Sequence, residues 1–248
     1  MRVLLVAGSP EPSSPALVSA LAAAADSVTA VDRGADACRA AGVVPDSFCG
    51  DADTVSPETL AWLCGREGEQ ASDVARLDVT PADDVRDVPE INGIAAAGGV
   101  RLFPPAKYDT DLSLAFSCCR QLAAEAGEGL EVSVTCASAG RMDHALAVFG
   151  VLAANADLAP ALVEDAFECR VLSPRGRDAW ELGADAVGRH FSFVALADGT
   201  LVSERGMRWE LERFRVDALR DRGISNVVDA PDATVTCHAG ILAAFLMR

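Results

Sequence analysis

Two carboxylates stand two positions apart directly after a predicted strand. The segment 45–57 reads PDSFCGDADTVSP, in which a strand-like run ends at Gly50 and is followed by Asp51 and Asp53. Asp and Gly in this position are typical of a solvated turn. Carboxylates at loop tips also suit Mg²⁺, which takes hard oxygen ligands and retains waters and phosphates. The segment by itself leaves the turn and the metal site open as interpretations.

A third acidic group follows further along the chain. Asp111 lies in KYDTDLSLAF at a predicted helix start, directly after Asp109 and Thr110. Three carboxylates that converge without a cation would repel one another, so a joint site with the first pair would favour Mg²⁺. For Asp109 and Thr110 the alternative is the N-cap of the helix.

Two cationic side chains stand out, and the first is a candidate for binding phosphate. Arg141 follows a predicted strand in SAGRMDHAL, just before Asp143 and His144 at a helix start. Arginine clamps phosphate, and a helix N-terminus attracts anions; capping or packing is an equal interpretation for His144. Lys107 is the single lysine among 21 basic residues. It indicates a place where a compact point charge is needed, unless it is an accident of composition.

The first half of the chain alternates between strands and helices. Continuous apolar runs bounded by turn residues predict strands at 2–8, 27–32, 47–51 and 131–138, and the segments between and after them predict helices at 15–25, 34–42, 112–127 and 143–155. This alternation predicts a parallel α/β sheet, with ligands at the carboxyl ends of its strands. Asp32 also falls at such a strand end, like the carboxylate pair.

The second half consists of short alternating runs separated by turns, which predict a β-rich domain, either a sandwich or a meander. We therefore predict an N-terminal Rossmann-like parallel α/β domain over 1–157, with a polar, acidic insertion at about 58–100, and a C-terminal β-sandwich domain over 158–248.

Composition narrows the function classes. The net charge of −16 argues against a nucleic-acid or anionic-membrane surface. No apolar run approaches the roughly 20 residues of a membrane span. The eight cysteines form no CxxC pair and the start of the chain has no signal-peptide pattern, so we expect a cytoplasmic protein with free thiols. There is no Walker loop, GxGxxG or GxSxG motif.

Five segments, in this order, resemble motifs of the thiamine pyrophosphokinase family. They read DRGADACRAAG, PDSFCGDADTVSP, KYDTDLSLAF, SAGRMDHAL and GMRWELERFRVDALRDRGISNVV. The resemblance covers nearly the whole chain apart from the acidic insertion. It implies Mg-dependent transfer of pyrophosphate from ATP to the hydroxyl of thiamine, giving AMP. It also implies a homodimer with thiamine bound between subunits.

The resemblance assigns roles to residues. Mg²⁺ and the phosphates would be held by Asp51, Asp53 and Asp111, which with Lys107 and Arg141 would form the catalytic set. The nucleotide and phosphate site would further include Asp32, Thr110, Asp143 and His144. Thiamine would be faced by Trp209, Ser225 and Asn226.

The chain departs from the family pattern where Arg33 and Asp36 replace a glycine and an asparagine. This departure leaves open a catalytically decayed thiamine or nucleotide sensor. A second alternative keeps the fold and changes the acceptor: a pyrophosphokinase that acts on another small alcohol such as a pterin. An unrelated α/β protein with chance pairs of aspartates is the third.

Overall fold

The computed structural model describes residues 1–63, 86–88, 99–102, 109–126 and 129–248. Its internal contacts divide the chain into two compact units, Met1–Met142 and Asp143–Arg248. The sequence placed the boundary between 157 and 158. The two boundaries differ mainly by one helix. Nearly all of this helix is grouped with the second unit. Most of the predicted acidic insertion lies outside the described residues.

The first unit is an α/β sheet with the strand order β6-β1-β2-β3-β5-β4. All of its pairs are parallel except the antiparallel edge pair of β4 and β5. Its strands are β1 Arg2–Val6, β2 Ser27–Val31, β3 Ser47–Gly50, β4 Arg86–Val88, β5 Gly99–Leu102 and β6 Glu131–Thr135. Its helices are α1 Pro15–Ala24, α2 Gly34–Ala40, α3 Pro57–Leu63 and α4 Asp111–Ala126. The predicted parallel α/β architecture is confirmed, while the finer Rossmann-like arrangement stays a prediction.

The central strands of this unit are buried on both faces, which explains their continuous apolar runs. In β1 the four residues after Arg2 are buried, and β3 is buried along its whole length. Helix α2 ends at Ala40, two residues before the predicted end at 42, and Gly42, with φ of 67°, directly follows its C-cap Ala41. Gly34 begins α2 against β1, and a Cβ there would come within 1.8 Å of the Val6 carbonyl oxygen. Only glycine allows this close approach of helix and strand.

Helix α1 begins with a complete N-cap. Ser14 accepts a hydrogen bond from Leu17 N, and Pro15 stands at the first helical position. We expect Ser14→Ala to lower the free energy of unfolding by about 1 kcal/mol, because the backbone N–H of Leu17 loses its hydrogen-bond acceptor. Chemical denaturation measures this change. Ser14→Asp is the control and should be close to neutral; an equal loss in both variants would contradict the capping role.

The second unit contains two antiparallel sheets, in the orders β13-β10-β15-β8-β7 and β12-β11-β14-β9. It begins with helix α5, Met142–Ala154, whose first residue belongs to the first unit. Its strands are β7 Ala161–Glu164, β8 Phe167–Leu172, β9 Ala179–Glu181, β10 His190–Ala195, β11 Thr200–Arg205, β12 Leu211–Val216, β13 Asn226–Val227, β14 Thr234–Ala239 and β15 Leu242–Met247. Two short 3-10 helices, Ala156–Leu158 and Ala184–Ala186, connect elements.

Both sheets contribute to a single hydrophobic core. Phe191 and Phe193 of β10 pack in one cluster with Val202 of β11 and Val235 of β14, and all four are fully buried. This arrangement agrees with the predicted β-sandwich. The described part of the chain contains seven free cysteines, six of them buried, and Cys64 lies outside it. No described helix is both long and apolar enough to span a membrane.

Candidate active site

The loops that follow β2 and β3 meet at the carboxyl edge of the parallel sheet. Asp32 directly follows β2, and its backbone N–H donates to the carbonyl of Cys49 at 2.9 Å. A Cβ at Gly50 would lie 3.0 Å from the Cα of Asp32, so glycine allows the two backbones to approach. Asp32 itself has φ of 47°, a left-handed conformation that Asp tolerates better than most residues. The two strand ends are therefore held in contact, as the rule for parallel sheets predicts.

This contact creates an acidic cluster of Asp32, Asp51 and Asp53. One carboxylate oxygen from each residue lies within 4.8 Å of the others. Ala52 has φ of 62°, and Asp53 N–H donates to Asp51 Oδ1 at 3.2 Å, so the alternation Asp-Ala-Asp folds both carboxylates toward Asp32. The turn predicted from the sequence is present and brings the three carboxylates together, while the metal site stays a prediction.

The acidic cluster has the donor set of a divalent-cation site. Asp32 Oδ2 accepts a hydrogen bond from Thr54 Oγ1. Asp32 Oδ1 is buried and has no hydrogen-bond partner. A desolvated carboxylate oxygen is costly without a donor or a cation. Three carboxylates at this spacing offer the hard oxygen ligands that Mg²⁺ takes, so the residues fit the metal that the family resemblance implies.

Asp111 does not join the acidic cluster, although the sequence grouped it with Asp51 and Asp53. It begins helix α4, and its carbonyl accepts a hydrogen bond from Cys49 Sγ at 3.9 Å. A hydrogen bond with Cys118 and burial raise the pKa of Cys49, which therefore stays a neutral thiol donor. This bond fixes the start of α4 to the end of β3. Asp111 is thus placed near the carboxyl edge, outside the set of three that includes Asp32.

Thr110 is the N-cap of α4. Its Oγ1 accepts a hydrogen bond from Ser113 N at 3.3 Å, which leaves its own hydroxyl proton available to a ligand. Asp109, just before it, is exposed. Lys107 lies outside the described residues, so its predicted catalytic and phosphate-binding roles stay predictions.

Arg141 stands in the loop after β6, which is fastened to the loop after β1. Ser9 N donates to the carbonyl of Cys136 at 2.8 Å, and Ser9 Oγ donates to the carbonyl of Ala139. Gly140, with φ of 83°, passes so close to Pro10 that a Cβ would be 3.1 Å from the proline Cβ. The exposed Arg141 follows directly. The first unit therefore presents a cation at the end of β6.

Asp143 and His144 lie in the first turn of α5, in the second unit, and both are exposed. Their side chains are thus open to solvent at a helix N-terminus. The predicted nucleotide-binding roles of both residues stay predictions.

The two departures from the family pattern brace the loop after β3. Arg33 Nε donates to the carbonyl of Thr54 at 3.5 Å. Asp36 accepts from Ser56 Oγ at 2.6 Å and from Ser56 N at 3.3 Å. Sequence reasoning missed these bonds, which join residues about 20 positions apart without a motif. The substituted side chains support the segment that carries the acidic cluster.

The three predicted thiamine-facing residues lie in two segments of the second unit. Trp209 is 60% exposed. Ser225 is exposed, has φ of 65°, and its N–H donates to Ser192 Oγ at 3.0 Å. Asn226 is buried, and all four hydrogen-bonding positions of its amide are used within the protein. Its Oδ1 accepts from Trp209 N and Val227 N, and its Nδ2 donates to the Trp209 carbonyl and to Glu204 Oε2.

Asn226 therefore fixes the backbone of Trp209, while the Trp209 ring remains open to solvent. Glu204, on β11, is a partner that sequence reasoning missed. It is 1% exposed, and burial raises its pKa to about 7. An acidic residue within VSER gives no sequence signal that separates a buried position from a solvated one.

Comparisons with known proteins agree with this architecture. Residues 181–242 match the family model described as thiamin pyrophosphokinase, vitamin B1 binding domain. A search of curated proteins gave no match. Among solved structures, a thiamin pyrophosphokinase family protein from Enterococcus faecalis is 19% identical with a TM-score of 0.69, covering 100% of this chain and 99% of the other. Thiamine pyrophosphokinase from Bacillus subtilis is 18% identical with a TM-score of 0.68, at 100% and 99% coverage.

A eukaryotic structure matches at the same level. Thiamin pyrophosphokinase from Candida albicans is 12% identical with a TM-score of 0.69, covering 100% of this chain and 89% of the other. The fold is thus that of the solved thiamin pyrophosphokinases. Because residues 181–242 also match a thiamin pyrophosphokinase family model, the predicted resemblance to the thiamine pyrophosphokinase family is confirmed.

Proposed function

We propose that this protein is a thiamine pyrophosphokinase that transfers the pyrophosphoryl group of ATP to the hydroxyl of thiamine and releases AMP. The acidic cluster, with the buried, partnerless Oδ1 of Asp32, is the observation that carries the proposal. It lies at the carboxyl edge of a parallel sheet, where ligands of such folds bind. The match of 181–242 to a vitamin B1 binding domain supports thiamine as the acceptor.

The reaction needs positioning and charge neutralisation more than a strong nucleophile. The thiamine hydroxyl oxygen forms a bond to the β-phosphorus of ATP, the bond from that phosphorus to the α–β bridging oxygen breaks, and AMP leaves. Mg²⁺ bound at the acidic cluster would neutralise charge on the phosphates. In the proposal Arg141 and Lys107 bind phosphate oxygens, and Asp111 or Asp143 accepts the hydroxyl proton.

The acceptor is a cation, and Trp209 offers it an aromatic face. A thiazolium ring over an indole gains cation–π stabilisation, and Trp209 is exposed enough to receive it. Ser225, exposed in a left-handed turn, would supply a hydroxyl beside it. We further propose that the protein is a cytoplasmic homodimer with thiamine held between subunits, and that it binds no nucleic acid.

A direct product assay tests the proposal. Purified protein with ATP, Mg²⁺ and thiamine should give AMP and thiamine diphosphate in equal amounts, separated by chromatography. ADP as the product would contradict pyrophosphoryl transfer. Turnover with a pterin or another small alcohol, but not with thiamine, would keep the reaction class and overturn the acceptor. Thiamine binding without any turnover would favour the sensor.

Replacing Trp209 should weaken acceptor binding selectively. We expect Trp209→Ala to raise the KM for thiamine about tenfold with little change in kcat or in the KM for ATP, because a cation–π contact contributes about 1 to 2 kcal/mol. Steady-state kinetics with each substrate varied measures this split. Trp209→Phe keeps an aromatic face and should lose less. A drop in kcat alone would place Trp209 outside the acceptor site.

A further inference from the structure

Glu204 is buried between the two sheets of the second unit. On β11 it pairs with Val235 of β14, on the same face as the core residue Val202. Its Oε2 accepts a hydrogen bond from Asn226 Nδ2 at 3.1 Å, and Asn226 belongs to β13 of the other sheet. Its Oε1 is buried and has no partner. The carboxyl group is therefore a polar link between two sheets that otherwise share an apolar core.

This link leads directly to Trp209. The amide of Asn226 that holds Glu204 also donates to the Trp209 carbonyl at 2.8 Å and accepts from Trp209 N at 3.1 Å. Arg208 N donates to the Val227 carbonyl, and Met207 forms a bridge with Val228. The segment that carries the exposed indole is thus held against β13 by these bonds. Glu204 is hydrogen-bonded to the same Asn226 amide from the interior of the unit.

The charged groups around this link are engaged with other partners. Arg205 pairs with Glu212, and Arg208 pairs with Asp229. Glu210 Oε1 accepts from Gly206 N.

On β14, His238 Nε2 is bonded to Ser203 Oγ at 2.8 Å, and the thiol of Cys237 donates to the Ala239 carbonyl. Arg213 and Arg215 on β12 are exposed, as is His190 on β10. Among the described residues, none of these cations forms an ion pair with Glu204.

We propose that Glu204 is a positioning residue that orients Trp209 through Asn226, and that its charge state sets how firmly the Trp209 ring is held in position for thiamine. The inference rests on the proposed function for the ligand, but the link itself is a property of the fold. With a proton on the carboxyl group, the link is neutral and compatible with the core. Release of that proton to solvent leaves a charge with one oxygen that no donor reaches, so the junction has to open toward water. Burial, which raises the pKa of Glu204 to about 7, puts this change near neutral pH.

Indole fluorescence tests the link without any substrate. The chain has three tryptophans, so the signal of Trp209 is the difference between the protein and its Trp209→Phe variant. We expect this difference to change with a midpoint near neutral pH, and to stay constant when both proteins carry Glu204→Gln, whose side chain accepts from Asn226 but does not ionise. Glu212→Gln, an exposed change of the same kind, should leave the transition in place.

Kinetics then separate this inference from the proposed function. If the protein turns over thiamine, the KM for thiamine should rise about tenfold from pH 6 to pH 8. This change corresponds to a difference of one unit between the pKa of Glu204 in the free and in the thiamine-bound protein. In Glu204→Gln the KM should not depend on pH. Glu204→Leu, which removes the acceptor, should show the high KM at every pH. No turnover with an intact fluorescence transition would overturn the function and keep the link. A flat Trp209 signal, or the same transition in Glu204→Gln, would overturn the link whatever the activity.

Discussion

Asp51→Asn is expected to lower turnover by at least about 100-fold while the protein stays folded. The substitution keeps the shape of the side chain and the oxygen that accepts from Asp53 N, but removes one charge from the acidic cluster. Loss of a charged cation ligand removes several kcal/mol of charge stabilisation where negative charge accumulates. The product assay measures the loss, and thermal unfolding measures the fold.

The same variant has a readout that does not depend on activity. Mg²⁺ that binds only the folded protein raises its apparent stability, so added Mg²⁺ should raise the Tm of the native sequence more than that of Asp51→Asn. Asp232→Asn makes the same charge change at an exposed position of the second unit and should behave like the native sequence in both assays. Near-normal activity and an unchanged response to Mg²⁺ in Asp51→Asn would show that the acidic cluster is not the metal site.

Glu204→Gln is expected to stabilise the protein at neutral and alkaline pH by up to about 3 kcal/mol. Burial raises the pKa of Glu204 from its ordinary 4.5 to about 7, so the folded state binds this proton more tightly than the unfolded state. The free energy of unfolding therefore falls as pH rises from about 4.5 to about 7 and is level above that. Glutamine keeps the bond to Asn226 without this penalty.

Denaturation with urea at pH 5 and at pH 8 measures the difference. The gain from Glu204→Gln should be present at pH 8 and small at pH 5, whereas Glu212→Gln, at an exposed position, should give little change at either. An equal effect at both pH values would mean that Glu204 does not titrate in this window, and a loss at pH 8 would mean that its charge is stabilised.

The α/β unit was predictable because its rules are local and strict. Strands buried on both faces give continuous apolar runs, and parallel strands bring their carboxyl ends to one edge, so Asp32 and Asp51 were expected at the same edge of the sheet. That Asp32, and not Asp111, completes the group of three was not predictable. It depends on the left-handed turn at Ala52 and on the close packing of Gly50 against Asp32.

The second unit shows where sequence reasoning stops. Asn226 was predicted to face the ligand, and its segment lies beside Trp209. Its amide points inward, and all of its hydrogen bonds are made to groups of the protein. Glu204 was not singled out, because a charged residue in an alternating strand normally points to solvent. The bond between them joins two sheets, and no local pattern encodes such a pairing.

Among the parallel strand pairs of the α/β unit, the pair of β2 and β3, which the acidic cluster directly follows, closes the shortest loop. The members of the acidic cluster follow the ends of β2 and β3. These two strands are consecutive in the sequence and pair with each other in the sheet. In contrast, β1 pairs with β6 only when Arg2 meets Glu131, after most of the unit has been synthesised. Because the entropy of loop closure grows with the length of the loop, this topology favours early formation of the β2–β3 edge during folding. A nascent chain would thus bring the acidic cluster together before β6, which precedes the loop that carries Arg141, has docked.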